Sequence, residues 1–470
     1  MQKVDVLIIG GSAAGLAAAI TARRHYPDAS IALMCQEDRS VVPCGIPYIY
    51  GTLGSPERNL LPDAVLDKND VELLVDRATD VHLSAKYVST ESGASAHYSR
   101  LVLATGSLPQ IPPIAGSDLS GVFPIQKNVE HLSSILASAQ SARSAVVVGG
   151  GFIGLEMADE LRKLGVGSVH VVEALPHCLA LVTDDDVCGT VEAELSRLGI
   201  DVRTSQQAAA FLGRDRVEAV ELANGDRLDA DIVILGIGSR ANVELARRAG
   251  LEIGPTGAIA VDAHMRTSDP AVFAAGDNAE KISFFTGEPV RTMLASVATT
   301  EARIAAANLF APRRENPGTI GVFSTKIGDL AMGQAGLGTR GAEQAGIPYV
   351  VGEAESITRH PASLPGAGML HEKLIFRRET GELIGGQAYG ADEAGEAVNV
   401  ISAMIQARMT ANQIATFQMG THPLLTASPV AYQPVNAAEI ALAQMMLDQS
   451  GPGVHWIPSV AWTRGEAGTT

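Results

Sequence analysis

The sequence predicts an α/β protein built from parallel strand–turn–helix units, and three observations carry that prediction. Two segments, "VDVLIIGGSAAGLAAAITARR" from Val4 and "SAVVVGGGFIGLEMADELRKLG" from Ser144, each run from a β-branched apolar stretch through a glycine turn into a helix. Each is followed by a second short apolar strand, "SIALMCQED" and "SVHVVEALP", completing a βαβ unit whose two strands lie parallel. The composition is 46% hydrophobic and only 4% aromatic, with 48 glycines, which suits tight turns and close helix–strand packing.

At 470 residues the chain is too long for one core and divides into about three domains of ordinary size. A formal net charge of -17 argues against nucleic acid, whose phosphates need clustered Lys and Arg. Small ligands are the expected partners. Cys35, Cys44, Cys178 and Cys188 form no disulfide framework and no CxxC or His-paired metal spacing, which fits a reducing cytoplasm. The apolar run after Val6 has the hydropathy of a signal peptide or a short membrane span. Asp5 interrupts its flank, only Lys3 precedes it as a positive charge, and Gly10, Gly11 and Gly15 stand where a strand turns into a helix, so no membrane partner is expected.

The first glycine turn has Gly10 and Gly15 but Ser12 at the middle position of G-x-G-x-x-G. Taken alone it fits either a dinucleotide site or a tightly packed helix start. Glu37 follows the second strand, where a carboxylate binds a ribose hydroxyl; Gln36 and Cys35 compete for that place. The second turn is complete, with Gly149, Gly151 and Gly154 in register. These glycines permit the turn, the approach of a pyrophosphate to backbone N–H groups, and close helix–strand packing. Its strand ends on Glu173, a carboxylate that can hold the 2′-hydroxyl of NADH and would repel the 2′-phosphate of NADPH. NADH is favoured, with NADPH still open. Two further strand ends, "LVLATGSLPQIP" (Leu101 to Pro112) and "AVFAAGDNAE" (Ala271 to Glu280), flank the second unit; the carboxylate of Asp277 beside Gly276 can approach a ribityl hydroxyl or a pyrophosphate.

The stretch "SVVPCGIPYIYG", Ser40 to Gly51, sets Cys44 between Pro43 and Pro47 with Gly45 after it. Together these features resemble the FAD-dependent pyridine nucleotide-disulfide oxidoreductases over nearly the whole chain. "PCGIPY" resembles the single-cysteine branch of that superfamily, which contains coenzyme A-disulfide reductase, NADH oxidase and NADH peroxidase. In relatives of glutathione reductase a second cysteine follows after four residues; here that slot holds Ile49. Oxidase and peroxidase members carry a histidine in the first glycine turn, within G-x-x-H-G-G, and here that position is Ala13. Coenzyme A-disulfide reductase uses tyrosines of its interface domain. "RHPASLPG" (Arg359 to Gly366) and "MGTHPLLTASP" (Met419 to Pro429) have none, and the latter resembles the glutathione reductase His-Pro motif.

The resemblance implies two Rossmann-like dinucleotide-binding domains and an α+β C-terminal dimerisation domain. The FAD domain would span 1–115 and 243–317, the NAD(P)H domain 116–242 and the interface domain 318–450, with a tail at 451–470. It places FAD at Gly10, Ser12, Ala13, Ala14, Gly15, Glu37, Pro43, Val81, Thr105, Gly106, Gly276, Asp277, Leu294 and Ala295. It places NAD(P)H at Gly149, Gly151, Phe152, Ile153, Gly154, Glu173 and Gly238. Cys44 is then the redox-active residue, Glu156 the glutamate beside flavin and nicotinamide, and His422 an acid/base reaching Cys44 across a homodimer. The implied activity is reduction of a small disulfide or persulfide, coenzyme A-type substrates first. The alternatives are an NADH oxidase cycling Cys44 through sulfenic acid and a redox-sensing flavoprotein.

Overall fold

A computed structural model describes residues 2–62 and 64–450; the tail expected at 451–470 lies outside them. The first unit forms as expected, with strand Gln2–Ile9 between the parallel strands Ile31–Cys35 and Ser95–Leu103. These central strands are buried on both faces; Val6, Leu7, Ile8, Leu101 and Val102 have no exposed surface, as the near-continuous apolar runs require. Glu72–Val75 extends one side of this sheet, and the antiparallel strands Tyr87–Thr90 and Ala78–His82 extend the other. Strand Val272–Ala274 also pairs in parallel with Ser95–Leu103. The chain therefore leaves this sheet after Leu103 and returns to it at Val272.

Between those points lies a second parallel sheet, in the order Ile200–Arg203, Ser168–Val172, Ser144–Val148, Ile232–Leu235, Val122–Pro124. The outgoing and returning passes, Ser107–Pro109 and Ser239–Ala241, pair with each other antiparallel, which fixes the two sheets side by side. A third, antiparallel sheet runs from Val322–Ile327 to Tyr349–Ile357 and packs a core of its own around Leu374, Phe376, Ile401 and Ile405.

Both glycine turns are closed by backbone that leaves no room for a side chain. Gly10 adopts φ +121°, and a Cβ there would lie 2.1 Å from the Ala104 carbonyl oxygen; one on Gly15 would lie 1.8 Å from the Gly10 oxygen. The second turn repeats this, with φ +110° at Gly149 and 1.9 Å between a Cβ on Gly154 and the Gly149 oxygen. The common contact is the helix backbone pressed onto the turn, so glycine is demanded by distance as well as dihedral. Among the described residues, no helix is long and apolar enough to cross a membrane.

Candidate active site

A cavity of about 640 Å³ opens where the three sheets meet, and Cys44 lies on its wall. The cysteine sits in a tight helical turn, Pro43–Gly45. Gly45 N–H donates to the Val42 carbonyl (3.0 Å), and the Asn59 amide donates to the same oxygen (2.9 Å). A Cβ on Gly45 would fall 2.0 Å from Asn59 Oδ1. The following turn, Ile49–Leu53, is pinned by the fully buried Glu160, whose carboxylate accepts from Gly51 N–H (3.0 Å) and the Thr52 hydroxyl (2.9 Å). Ile49 is itself fully buried, so this slot is core. Cys44 is exposed and unpaired.

The surroundings of Cys44 are acidic. Cys44 is exposed at the cavity mouth but partly desolvated by the wall behind it, which pushes the thiol above its ordinary range; the Glu156 and Asp277 charges add to this, and Lys127 opposes them. Glu156 lines the same cavity. Burial raises its carboxyl to about 7, against the Thr325 hydroxyl that donates to it at 2.6 Å, while Glu160 adds to the rise. Glu156 thus changes charge near neutral pH beside the thiol.

Whether the cavity fits FAD is tested by its electrostatic floor. The helices Ala13–His25, Phe152–Leu164 and Ala295–Ala307 each begin without a side-chain cap and without an acidic residue in the first turn. Ala13, Ala14, Phe152, Ile153, Leu294 and Ala295 bring those open ends to the cavity. Uncapped N–H groups with the positive end of the helix dipole suit an anionic pyrophosphate. Ser12 and Gly106 line the same wall. Gly276, at φ +90°, brings its turn so near the first helix that a Cβ would lie 3.1 Å from that of Ala14. Asp277 faces the cavity and accepts from the Ser107 hydroxyl at 2.7 Å. The residues present fit the cofactor. The Asp277→Ala protein is expected to bind FAD more weakly by about 1.5–3 kcal/mol, the worth of hydrogen bonds to a charged group. FAD fluorescence recovered on dilution measures this; unchanged retention would mean that the Asp277 carboxylate does not hold the cofactor.

Glu37 and Gln36 both line the cavity, and Pro43 borders it beside Cys44. The Asn128 amide donates to Glu37 at 2.7 Å, and Cys35 Sγ donates to the Glu37 carbonyl at 3.0 Å. Thr105 stands just behind the wall, its hydroxyl donating to the Asn242 carbonyl at 2.7 Å. Val81 is 6% exposed in the first core and does not reach the cavity with its side chain. In the second unit Glu173 is clamped over its glycine turn, accepting from Gly150 N–H at 2.6 Å and Leu175 N–H at 2.8 Å. Gly238, at φ +92°, has open space where a Cβ would point. His422 is exposed on a loop of the third domain and is not on the Cys44 cavity of its own chain. Leu424 N–H donates to its Nδ1 at 3.2 Å, so in the neutral ring the proton sits on Nε2.

Sequence reasoning missed Ser107, Lys127, Asn128, Phe323, Ser324 and Thr325. Asn128 did carry a signal, since it stands before an apolar-periodic run and caps the helix Val129–Ser141. Strand Val322–Ile327 carried none. It reaches the site because Phe323 packs on Phe152, ring centroids 4.4 Å apart, and only folding brings those residues together.

Two dinucleotide-type sheets, an anion-ready cavity between them and a cysteine on its wall define an FAD-dependent NAD(P)H oxidoreductase. The chain belongs to the pyridine nucleotide-disulphide oxidoreductase family, whose model matches residues 4–302, with the family's dimerisation domain matching residues 322–431. It is 33% identical over 451 residues to an NADH oxidase of Methanocaldococcus jannaschii, covering 93% of this chain and 99% of that one. It is also 33% identical over 427 residues to a CoA-dependent NAD(P)H sulfur oxidoreductase of Pyrococcus furiosus, covering 88% of this chain and 94% of the other. The solved structure of an NAD-dependent persulfide reductase from A. fulgidus superposes with a TM-score of 0.87 at 32% identity, covering 95% of this chain and 84% of that one.

Proposed function

We propose that the protein reduces a small disulfide or persulfide with NADH, coenzyme A-type substrates first, using Cys44 as its single redox-active cysteine. The observation that carries this reading is Cys44 itself, exposed on the wall of the FAD cavity with Ile49 buried in the place where a second cysteine would stand. The names of the Pyrococcus and A. fulgidus relatives support a sulfur acceptor. FAD, when bound, relays two electrons from NADH to the sulfur centre. Cys44 attacks one sulfur of R–S–S–R′ as the thiolate. The S–S bond breaks, R′–S⁻ leaves and takes up a proton, and Cys44 remains joined to R–S. Two electrons then cleave that mixed disulfide, releasing R–S⁻ and restoring the thiolate. Glu173 sets the preference for NADH, and Glu156 holds or releases a proton beside the thiol as the charge there changes.

The domain limits given above, a cytoplasmic location and a homodimer with a shared site belong to the same proposal. The match to a dimerisation domain supports the dimer, the four free cysteines support a reducing compartment, and the exposed His422 is available to a partner's Cys44. NADH oxidation by oxygen is the second reading, favoured by the Methanocaldococcus relative and opposed by Ala13, where oxidases carry histidine. Purified protein assayed for NADH loss should turn over faster with coenzyme A disulfide or persulfide than with glutathione disulfide or oxygen. Faster consumption with oxygen alone would replace the proposal by the oxidase.

A further inference from the structure

We infer that a buried ion pair, Lys281 with Glu301, is the positioning device for the Gly276–Asp277 turn and thereby for FAD. The two side chains are 3% and 1% exposed, with Nζ and Oε2 3.2 Å apart. Both polar groups of the Gly276 backbone touch this pair, the carbonyl sharing its acceptance with Ala279 N–H. Its N–H donates to the Glu301 carboxylate at 2.9 Å, and its carbonyl accepts from Lys281 Nζ at 2.5 Å. A third proton of Lys281 goes to the Ala279 carbonyl at 2.8 Å, so all three donors of the ammonium are used on this turn and on Glu301. Glu301 stands one helical turn beyond Ala298, which lines the cavity.

The pair does more than fill space. Burying two charges contributes little net stability, and an apolar pair of similar volume is often as stable or more so. What an apolar pair cannot do is grip a backbone N–H and C=O at once. Gly276 is held at φ +90° in a turn that Ala279 N–H closes on the Gly276 carbonyl at 2.9 Å, and the next residue is Asp277, aimed at the cofactor cavity. A turn left to relax would carry the Asp277 carboxylate with it. Glu301 Oε1 is buried with no hydrogen-bond partner among the described residues, an uncompensated atom that a purely stabilising pair would not leave. Burial raises the Glu301 carboxyl to about 7, with Lys281 the main opposing influence.

The test uses the full-chain holoenzyme. FAD release on dilution, followed by recovered flavin fluorescence, gives the dissociation constant, and the melting temperature in excess FAD reports the fold. The double variant Lys281→Met/Glu301→Leu should stay folded at the assay temperature in excess FAD yet bind FAD about tenfold or more weakly, since hydrogen bonds to charged groups on the turn are gone. Glu301→Gln keeps an acceptor for Gly276 N–H and should lose less affinity than Glu301→Leu. A double variant with the wild-type dissociation constant would overturn the inference. So would a melting temperature that falls in Glu301→Gln and Glu301→Leu while both keep wild-type FAD binding, the pattern of a merely structural pair. Because FAD affinity is read without any sulfur acceptor, failure here is separable from failure of the proposed substrate.

Discussion

The Cys44→Ser protein is expected to lose all reduction of disulfides and persulfides while its flavin is still reduced by NADH. A serine hydroxyl has nearly the volume of the thiol but cannot form the mixed disulfide, and Cys44 takes no part in the two glycine turns. In the wild type, partial reduction should produce a long-wavelength absorbance band from the Cys44 thiolate beside FAD, and the variant should lack it. The other cysteines serve as controls. Cys178 and Cys188 are buried, and burial pushes both thiols up to about 12, so serine at either position should spare activity. Cys35 points its thiol at the Glu37 carbonyl and should also be dispensable. If Cys35→Ser proved as inactive as Cys44→Ser, the single-cysteine account would fail.

His422→Ala should slow disulfide reduction by roughly 10²–10⁴-fold, the range for a general acid–base group, with flavin reduction by NADH near normal. A thiolate must be stabilised for attack and the departing thiolate protonated, and the carboxylates around Cys44 do not serve the first of these. Glu156 and Asp277 raise the thiol rather than lower it. An imidazole nitrogen can accept and return a proton, and His422 presents Nε2–H from an exposed loop, directly before Pro423. Because His422 does not line the cavity of its own chain, the productive pair would form between subunits. Mixing inactive Cys44→Ser and His422→Ala subunits should then restore activity, as one of the two sites in each hybrid dimer regains both groups. Confirmed subunit exchange without activity would sink the shared site.

The glycine turns, the two parallel sheets and the isolation of Cys44 were legible in the chain because each is a local rule. A turn pressed against a helix admits only glycine, a doubly covered strand is apolar throughout, and a missing cysteine five positions on is visible by counting. Glu173 stands out by its place at the end of the strand after its turn, whereas Glu37, Gln36 and Cys35 competed for the corresponding place, and both Glu37 and Gln36 line the cavity. Tertiary structure alone decided what meets across the cavity. The hydrogen bond from Thr325 to Glu156, the opposing charge of Lys127, and the clamp of Lys281 and Glu301 on Gly276 join residues between 5 and 169 positions apart. No periodicity records such pairings, because they depend on how the three sheets pack and on which polar groups burial leaves in need of a partner.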